Sequence, residues 1–211
     1  MPRLTELTLV ELLTAFQSTD PTPGGGSASA LSGAVGASLL AMVGGLPSPR
    51  AAAAEDQERL KAARTQCLRL AERLAVLVDR DSDAYKTVML AYRRPRGTPE
   101  ERTARSAAIQ DGLRLASDVP LEVMRLCADA TEQATVVAEL ANPNASSDVQ
   151  VGVELLLAGL RGARMNVEIN LGQLKDAAYV AAAGEEVTRL TAAADRQVAT
   201  AREVLPPQRP A

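Results

Sequence analysis

Histidine and tryptophan are absent from this 211-residue chain, and the aromatics amount to one Phe and three Tyr. Without His there is no His-based catalytic triad and no His-ligated metal site, so proton transfer falls to Asp, Glu, Lys, Tyr or water. Without aromatics the core has to be filled by Val, Leu and Ala, which favours helices over aromatic, β-branched strands. Lys occurs only at Lys61, Lys86 and Lys175, no basic block is present and the net charge is −3, all of which argues against nucleic acid as a partner. The two cysteines, Cys67 and Cys127, stand singly in helical stretches and read as reduced core thiols of a cytoplasmic protein. Glu6 and Glu11 interrupt any basic-then-apolar leader pattern.

What is present is helix punctuation. Thr8 and Glu11 form a capping box, with Leu7 and Leu12 as its hydrophobic staple, and predict a helix over about 9–18. Ser27 is placed to cap a second helix, and Ser48-Pro49 predicts the start of a third that runs to Tyr92 without Gly or Pro, about 60 Å if unbroken. RRPRG at 93–97 ends it. Thr98-Pro99-Glu100-Glu101 opens a helix to about Ser117, and Asp118-Val119-Pro120 caps or kinks into another that ends near Leu140. Residues 147–150 open a helix towards Leu171, and Asp176 restarts the last. No segment alternates as a strand between hairpin turns. The expectation is one all-α domain over 1–205, a bundle with long helices, followed by a disordered tail, PPQRPA, at 206–211.

The most unusual segment is 20–46, DPTPGGGSASALSGAVGASLLAMVGGL. Three consecutive glycines supply positive φ, or let a backbone or a flat ligand come within contact distance of the main chain. The following run of Ala, Ser and Gly is too thin to fill an ordinary core, so it suits close packing within the chain or across a two-fold dimer. Its length is enough for a membrane span, but its Ser and Gly content, the missing aromatic belt and the missing basic flank favour a buried helix.

Two further segments carry chemistry. Asn142, Asn144 and Asp148 crowd the start of a helix whose body holds Gly152, Gly159, Gly162, Asn166 and Asn170. Interior helix glycines cost roughly 1 kcal/mol each relative to Ala, and the amides either cap something or recognise something. NPNASSD is also readable as a proline turn with an N-cap and a first-turn acid. In LVDRDSDAY, alternate residues lie about 200° apart on a helix. Either Asp79 and Asp83 face solvent and Asp81 points inward, or the reverse; an inward Asp has its pKa raised by burial and can trade protons near neutrality.

These segments, PTPGGGSASALSGAVGASLLAMV, DRDSDAY, YRRPRGTPEE, SDVPLE and NPNASSDVQVG…RGARMNVEINL, resemble the cyclodeaminase/cyclohydrolase family in order and spacing over about residues 7–203. That is the fold of the C-terminal half of formiminotransferase-cyclodeaminase and of stand-alone methenyltetrahydrofolate cyclohydrolases. The resemblance implies an all-α homodimer acting on a tetrahydrofolate substrate with no metal or other cofactor and no membrane. Cyclohydrolase is the leading activity and cyclodeaminase the alternative; a non-catalytic folate-binding or helical dimerisation module is the third reading. By the same resemblance the acid/base is Asp81, with Asp79 or Asp83 as alternates, and Asp148 is a second carboxylate that orients water or binds the pterin. Gly24, Gly25, Gly26 and Ser27 would line the pocket with backbone donors, Asn142 and Asn144 would add amides, and Arg93, Arg94 and Arg96 would hold the glutamate tail. One cleft is expected to unite 24–27, 142–148 and a carboxylate of 79–83, within one chain or with a second subunit supplying one wall.

Overall fold

Local capping sets where the helices begin. The Thr8 side chain accepts the Glu11 N–H while Glu11 accepts the Thr8 N–H at 2.8 Å, which opens α1, Leu9–Gln17. Thr98 and Glu101 repeat the box at the start of α4, Pro99–Leu140, with Pro99 in the first turn. Asp176 accepts the Tyr179 N–H and opens α6, Ala177–Val204. The remaining helices are α2, Gly25–Val43, α3, Ala54–Tyr92, and α5, Ser146–Leu171. The structure is a computed structural model that describes residues 3–205, and among these it is helical with no strand. The tail expected at 206–211 lies outside the described residues.

α2 is the axis of the bundle. α3, α4 and α5 surround it, and α6 packs outside α4 and α5. α2 runs antiparallel to α3, with Gly33 beside Leu74 and Gly44 beside Arg64, and antiparallel to α5, with Gly36 beside Gly152 and Gly33 beside Gly159. A methyl group on Gly36 would stand 2.6 Å from the Gly152 carbonyl oxygen, and one on Gly159 2.8 Å from the Ser29 carbonyl oxygen. Gly36, Gly152 and Gly159 therefore serve backbone-to-backbone packing, while Gly33 makes room for the Cys127 sulfur and Leu74, and Gly162 for the Ser29 hydroxyl. α2 is also long and apolar enough to cross a membrane, but most of it is buried inside the bundle. Cys67 and Cys127 are free and buried, and burial pushes both thiols up to about 12.

Three sequence expectations need correction. α3 starts at Ala54 rather than after Ser48-Pro49. The Ser48 hydroxyl donates to the Leu140 carbonyl at 2.7 Å and accepts the Arg50 N–H at 3.1 Å, so this segment turns and ties itself to the end of α4. From Ala54 α3 is unbroken for 39 residues, about 58 Å. The two helices expected on either side of Pro120 are one, the 42-residue α4. Pro120 lacks the N–H that would bond the Ala116 carbonyl four residues back. The Asn170 side-chain amide, from α5, donates to that carbonyl at 2.7 Å and replaces the missing bond. Finally, α2 begins at Gly25 with Gly24 as N-cap, so Ser27 lies inside the first turn.

Close approach at Gly36 makes a sharp prediction. Gly36→Ala should lower stability by about 1–3 kcal/mol through overpacking. Gly184→Ala, at a helical position with nothing within 4 Å, should raise it by up to about 1 kcal/mol. Urea titration of the two variants checks the contrast, and equal effects would contradict the packing described.

Candidate active site

The start of α2 carries no side-chain cap and no acid in its first turn, so its leading N–H groups look outward for acceptors. α3 supplies one. Asp81 is half-buried against the start of α2 and accepts the Ser27 backbone amide. Ser27 is fully buried; its Oγ stands 2.8 Å from the Val78 carbonyl oxygen, 3.2 Å from Asp81 Oδ2 and 3.2 Å from Ser82 Oγ. Burial pushes the Asp81 carboxyl up from its ordinary value of 3.8, and the Ser27 hydroxyl and amide pull it back part of the way. The result is a carboxyl that holds its proton to higher pH than a solvated Asp, at the positive end of a helix.

Gly26 makes this contact possible. A methyl group there would overlap the Asp81 carboxylate, whereas one on Gly25 would meet Asn166 Nδ2 at 3.6 Å, ordinary contact. Among the described residues no glycine has positive φ. Neither positive φ nor the approach of another backbone is what the run provides in this chain; at Gly26 it admits a side-chain carboxylate.

The three acidic residues of α3 divide the labour. Asp79 holds the N-terminal segment: Oδ1 accepts the Leu4 N–H at 2.6 Å and Oδ2 the Thr5 hydroxyl at 2.8 Å. Asp83 is exposed and paired with Lys86 at 3.0 Å. Asp81 alone points inward, as one of the two helix-face arrangements requires. Between the N-terminal turn and the other side of α3 lies a cavity of about 630 Å³, lined by Arg3, Pro23, Arg80 and Lys86 among others, with Ser82 forming part of both its wall and the Ser27 cluster.

The other expected residues lie elsewhere in the chain. The Asn142 amide donates to the Pro47 carbonyl at 2.9 Å, beyond the C-terminal end of α2, and its Oδ1 accepts the Asn144 N–H. Gly24 and Gly25 are at the opposite end of that helix, about 28 Å away along its axis. Within one chain, then, Asn142, Asn144 and Asp148 do not meet Gly24, Gly25, Gly26, Ser27 or Asp81; α2 and α5 are antiparallel and hold the two groups apart. Arg93, Arg94 and Arg96 are exposed at the α3–α4 turn, about 18 Å along α3 from Asp81, and they too stand apart from it.

Asn166 takes a place at the site that sequence reasoning did not assign. It is half-buried beside Gly25, and its Nδ2 donates to the Gly162 carbonyl at 2.9 Å. Its partner amide Asn170 is the one that repairs the Pro120 gap. The available signal was the four-residue spacing of Gly162, Asn166 and Asn170, which puts all three on one side of α5.

Fold and site together define an all-α protein that offers a carboxyl and helix-start amides, with no cluster of three metal-ligating side chains among the described residues. The family model described as formiminotransferase-cyclodeaminase matches residues 8–189, and the chain belongs to that family. It is 39% identical over 187 residues to a methenyltetrahydrofolate cyclohydrolase of Methylorubrum extorquens, covering 89% of this chain and 90% of that one. It is 33% identical over 168 residues to the formimidoyltransferase-cyclodeaminase of Gallus gallus, covering 80% of this chain but 31% of that longer protein. A crystal structure of formiminotetrahydrofolate cyclodeaminase from Thermotoga maritima shares the fold, with a TM-score of 0.84 at 24% identity over 95% of this chain and 96% of that one.

Gly26→Ala must push the Asp81 carboxylate off Ser27. A double-mutant cycle with Asp81→Ala should therefore fail to add by about 1 kcal/mol or more in chemical denaturation. Gly25→Ala paired with Asp81→Ala should add. Additivity in both cycles would contradict the Gly26–Asp81 contact.

Proposed function

We propose that this protein is a methenyltetrahydrofolate cyclohydrolase, converting 5,10-methenyltetrahydrofolate and water to 10-formyltetrahydrofolate. The observation that carries the reading is the near end-to-end match to a relative of that name, at 39% identity. On this reading it works in the cytoplasm as a homodimer on a small folate substrate, and the reaction calls for no nucleic acid, membrane or resident cofactor.

The site chemistry supports the assignment. The substrate carries a cationic N–C–N carbon, and an anionic Asp81 beside it stabilises that charge. As water adds to this carbon, Asp81 accepts a proton from it and leaves a neutral tetrahedral carbinol. The bond from carbon to N5 then breaks as Asp81 returns the proton to N5. The carbinol O–H releases its proton to solvent and becomes the formyl C=O on N10. One proton is released overall, and neither a side-chain nucleophile nor a His is required. A carboxyl whose pKa is raised by burial suits both halves of this cycle. The outward N–H groups at Gly24, Gly25 and Gly26 and the Asn166 amide offer donors and acceptors to the pterin.

A cyclodeaminase reading is favoured by the 33% identity to the Gallus gallus protein. There N10 attacks a formimino carbon and ammonia leaves through the same kind of tetrahedral carbon. Adding 5,10-methenyltetrahydrofolate and following its absorbance separates the readings. The expected result is protein-dependent decay, slowed about 10²- to 10⁴-fold in kcat by Asp81→Asn with KM little changed. Ammonia release from the formimino substrate without methenyl decay would instead make it a cyclodeaminase. Folate binding without either turnover would leave a binding module.

A further inference from the structure

We propose that Tyr85 is the aromatic wall of the candidate site: its ring takes the cationic N–C–N group of the substrate and favours that cation over the neutral product. The inference rests on the folate reading of the site and adds a binding residue to it.

The first observation is a stripe along α3. Leu74, Val78, Asp81 and Tyr85 follow one another at three- and four-residue spacing and so share one helix face. That face looks at α2: Leu74 lies beside Gly33, the Val78 carbonyl takes the Ser27 hydroxyl, and Asp81 lies against Gly26. Leu74 and Val78 are buried under α2, whereas Tyr85 is 38% exposed. The reason is the antiparallel register. Seven residues back from Gly33 to Gly26 match seven forward from Leu74 to Asp81, so Tyr85 comes level with the chain before Gly25, where α2 begins. Tyr85 is thus the first residue of the stripe that α2 no longer covers. Helical side chains lean toward the N-terminus of their helix, so its ring leans over the turn that carries Asp81.

The second observation is that nothing in the chain uses this ring. The chain has three Tyr and no Trp. Arg105 stands over the Tyr92 ring at 5.5 Å, and Arg114 over the Tyr179 ring at 4.5 Å. Tyr179 also donates its hydroxyl to Asp118 at 2.7 Å. Among the described residues Tyr85 has neither a cation on its ring nor a hydrogen-bond partner for its hydroxyl. The Tyr without a cation is the one next to a site whose substrate is a planar cation, and an aromatic face attracts such a group through its quadrupole. Once the bond from carbon to N5 breaks, the charge is gone and this attraction with it, so the ring discriminates substrate from product. The charge also fades as water adds. The contact is therefore stronger before the transition state than in it, and serves affinity rather than rate.

The test separates KM from kcat. Tyr85→Leu should raise KM for 5,10-methenyltetrahydrofolate about 5- to 30-fold without lowering kcat, and Tyr85→Phe, which keeps the ring, should stay within about twofold of the parent. In an Asp81→Asn background, where turnover is slow, calorimetry should show Tyr85→Leu weakening the methenyl cation by that factor and 10-formyltetrahydrofolate much less. An unchanged KM, a fall in kcat at constant KM, or an equal loss of affinity for both folates overturns the proposal and leaves the cyclohydrolase reading standing. Fluorine NMR of protein labelled with 3-fluorotyrosine reads the ring in an otherwise unaltered chain. Of the three resonances, the one missing from Tyr85→Phe should shift when the methenyl cation is added; a shift confined to the other two overturns the proposal. A protein that neither binds nor turns over either folate removes the folate reading and the role of Tyr85 together.

Discussion

The closeness of the α2 backbone to its neighbours is the constraint from which the rest follows. Because α2 places glycines where its neighbours cross it, α5 approaches until a Gly152 carbonyl nearly touches Gly36, and α3 approaches until the Asp81 carboxyl reaches the helix start at Gly26 and Ser27. The same thinness that stabilises the core by contact thereby brings an ionisable group to a place water reaches poorly. Had α2 been an ordinary Leu-rich helix, α3 would stand further away and Asp81 would be a solvated surface acid. Packing and chemistry have one cause here.

Helix punctuation was legible because it is local. The Thr8–Glu11 and Thr98–Glu101 boxes and the Asp176 cap each act over three residues, and each helix begins where they indicate. What was misread depends on partners far along the chain. Pro120 ends a helix by local rules, yet α4 continues because Asn170 bonds the carbonyl that Pro120 leaves open. Ser48 has the form of a cap, but its hydroxyl is taken by Leu140. Ser27 likewise spends its hydroxyl on Val78, Asp81 and Ser82 across the bundle instead of on its own helix.

The candidate site was readable in its parts and not in its assembly. Helical geometry leaves two arrangements for Asp79, Asp81 and Asp83, and only tertiary contacts select the one with Asp81 inward. Asp79, an alternate to Asp81 by sequence, has both its oxygens occupied by Leu4 and Thr5. The glycine run and the Asn142–Asp148 stretch both break helical habits, which suggested a common cleft. The antiparallel pairing of α2 and α5 puts them at opposite ends instead, a fact no spacing in the sequence reports.

Asp81, packed against a glycine-built helix start, holds its proton to higher pH than surface carboxylates do because burial disfavours its charged form. Carbon-13 NMR of labelled Asp carboxyls across a pH titration measures this directly. One resonance should titrate with a midpoint above 3.8 and be absent from Asp81→Asn. An Asp81 resonance that titrates at or below that value would show a carboxylate governed by its hydrogen bonds rather than by burial, and would contradict the account.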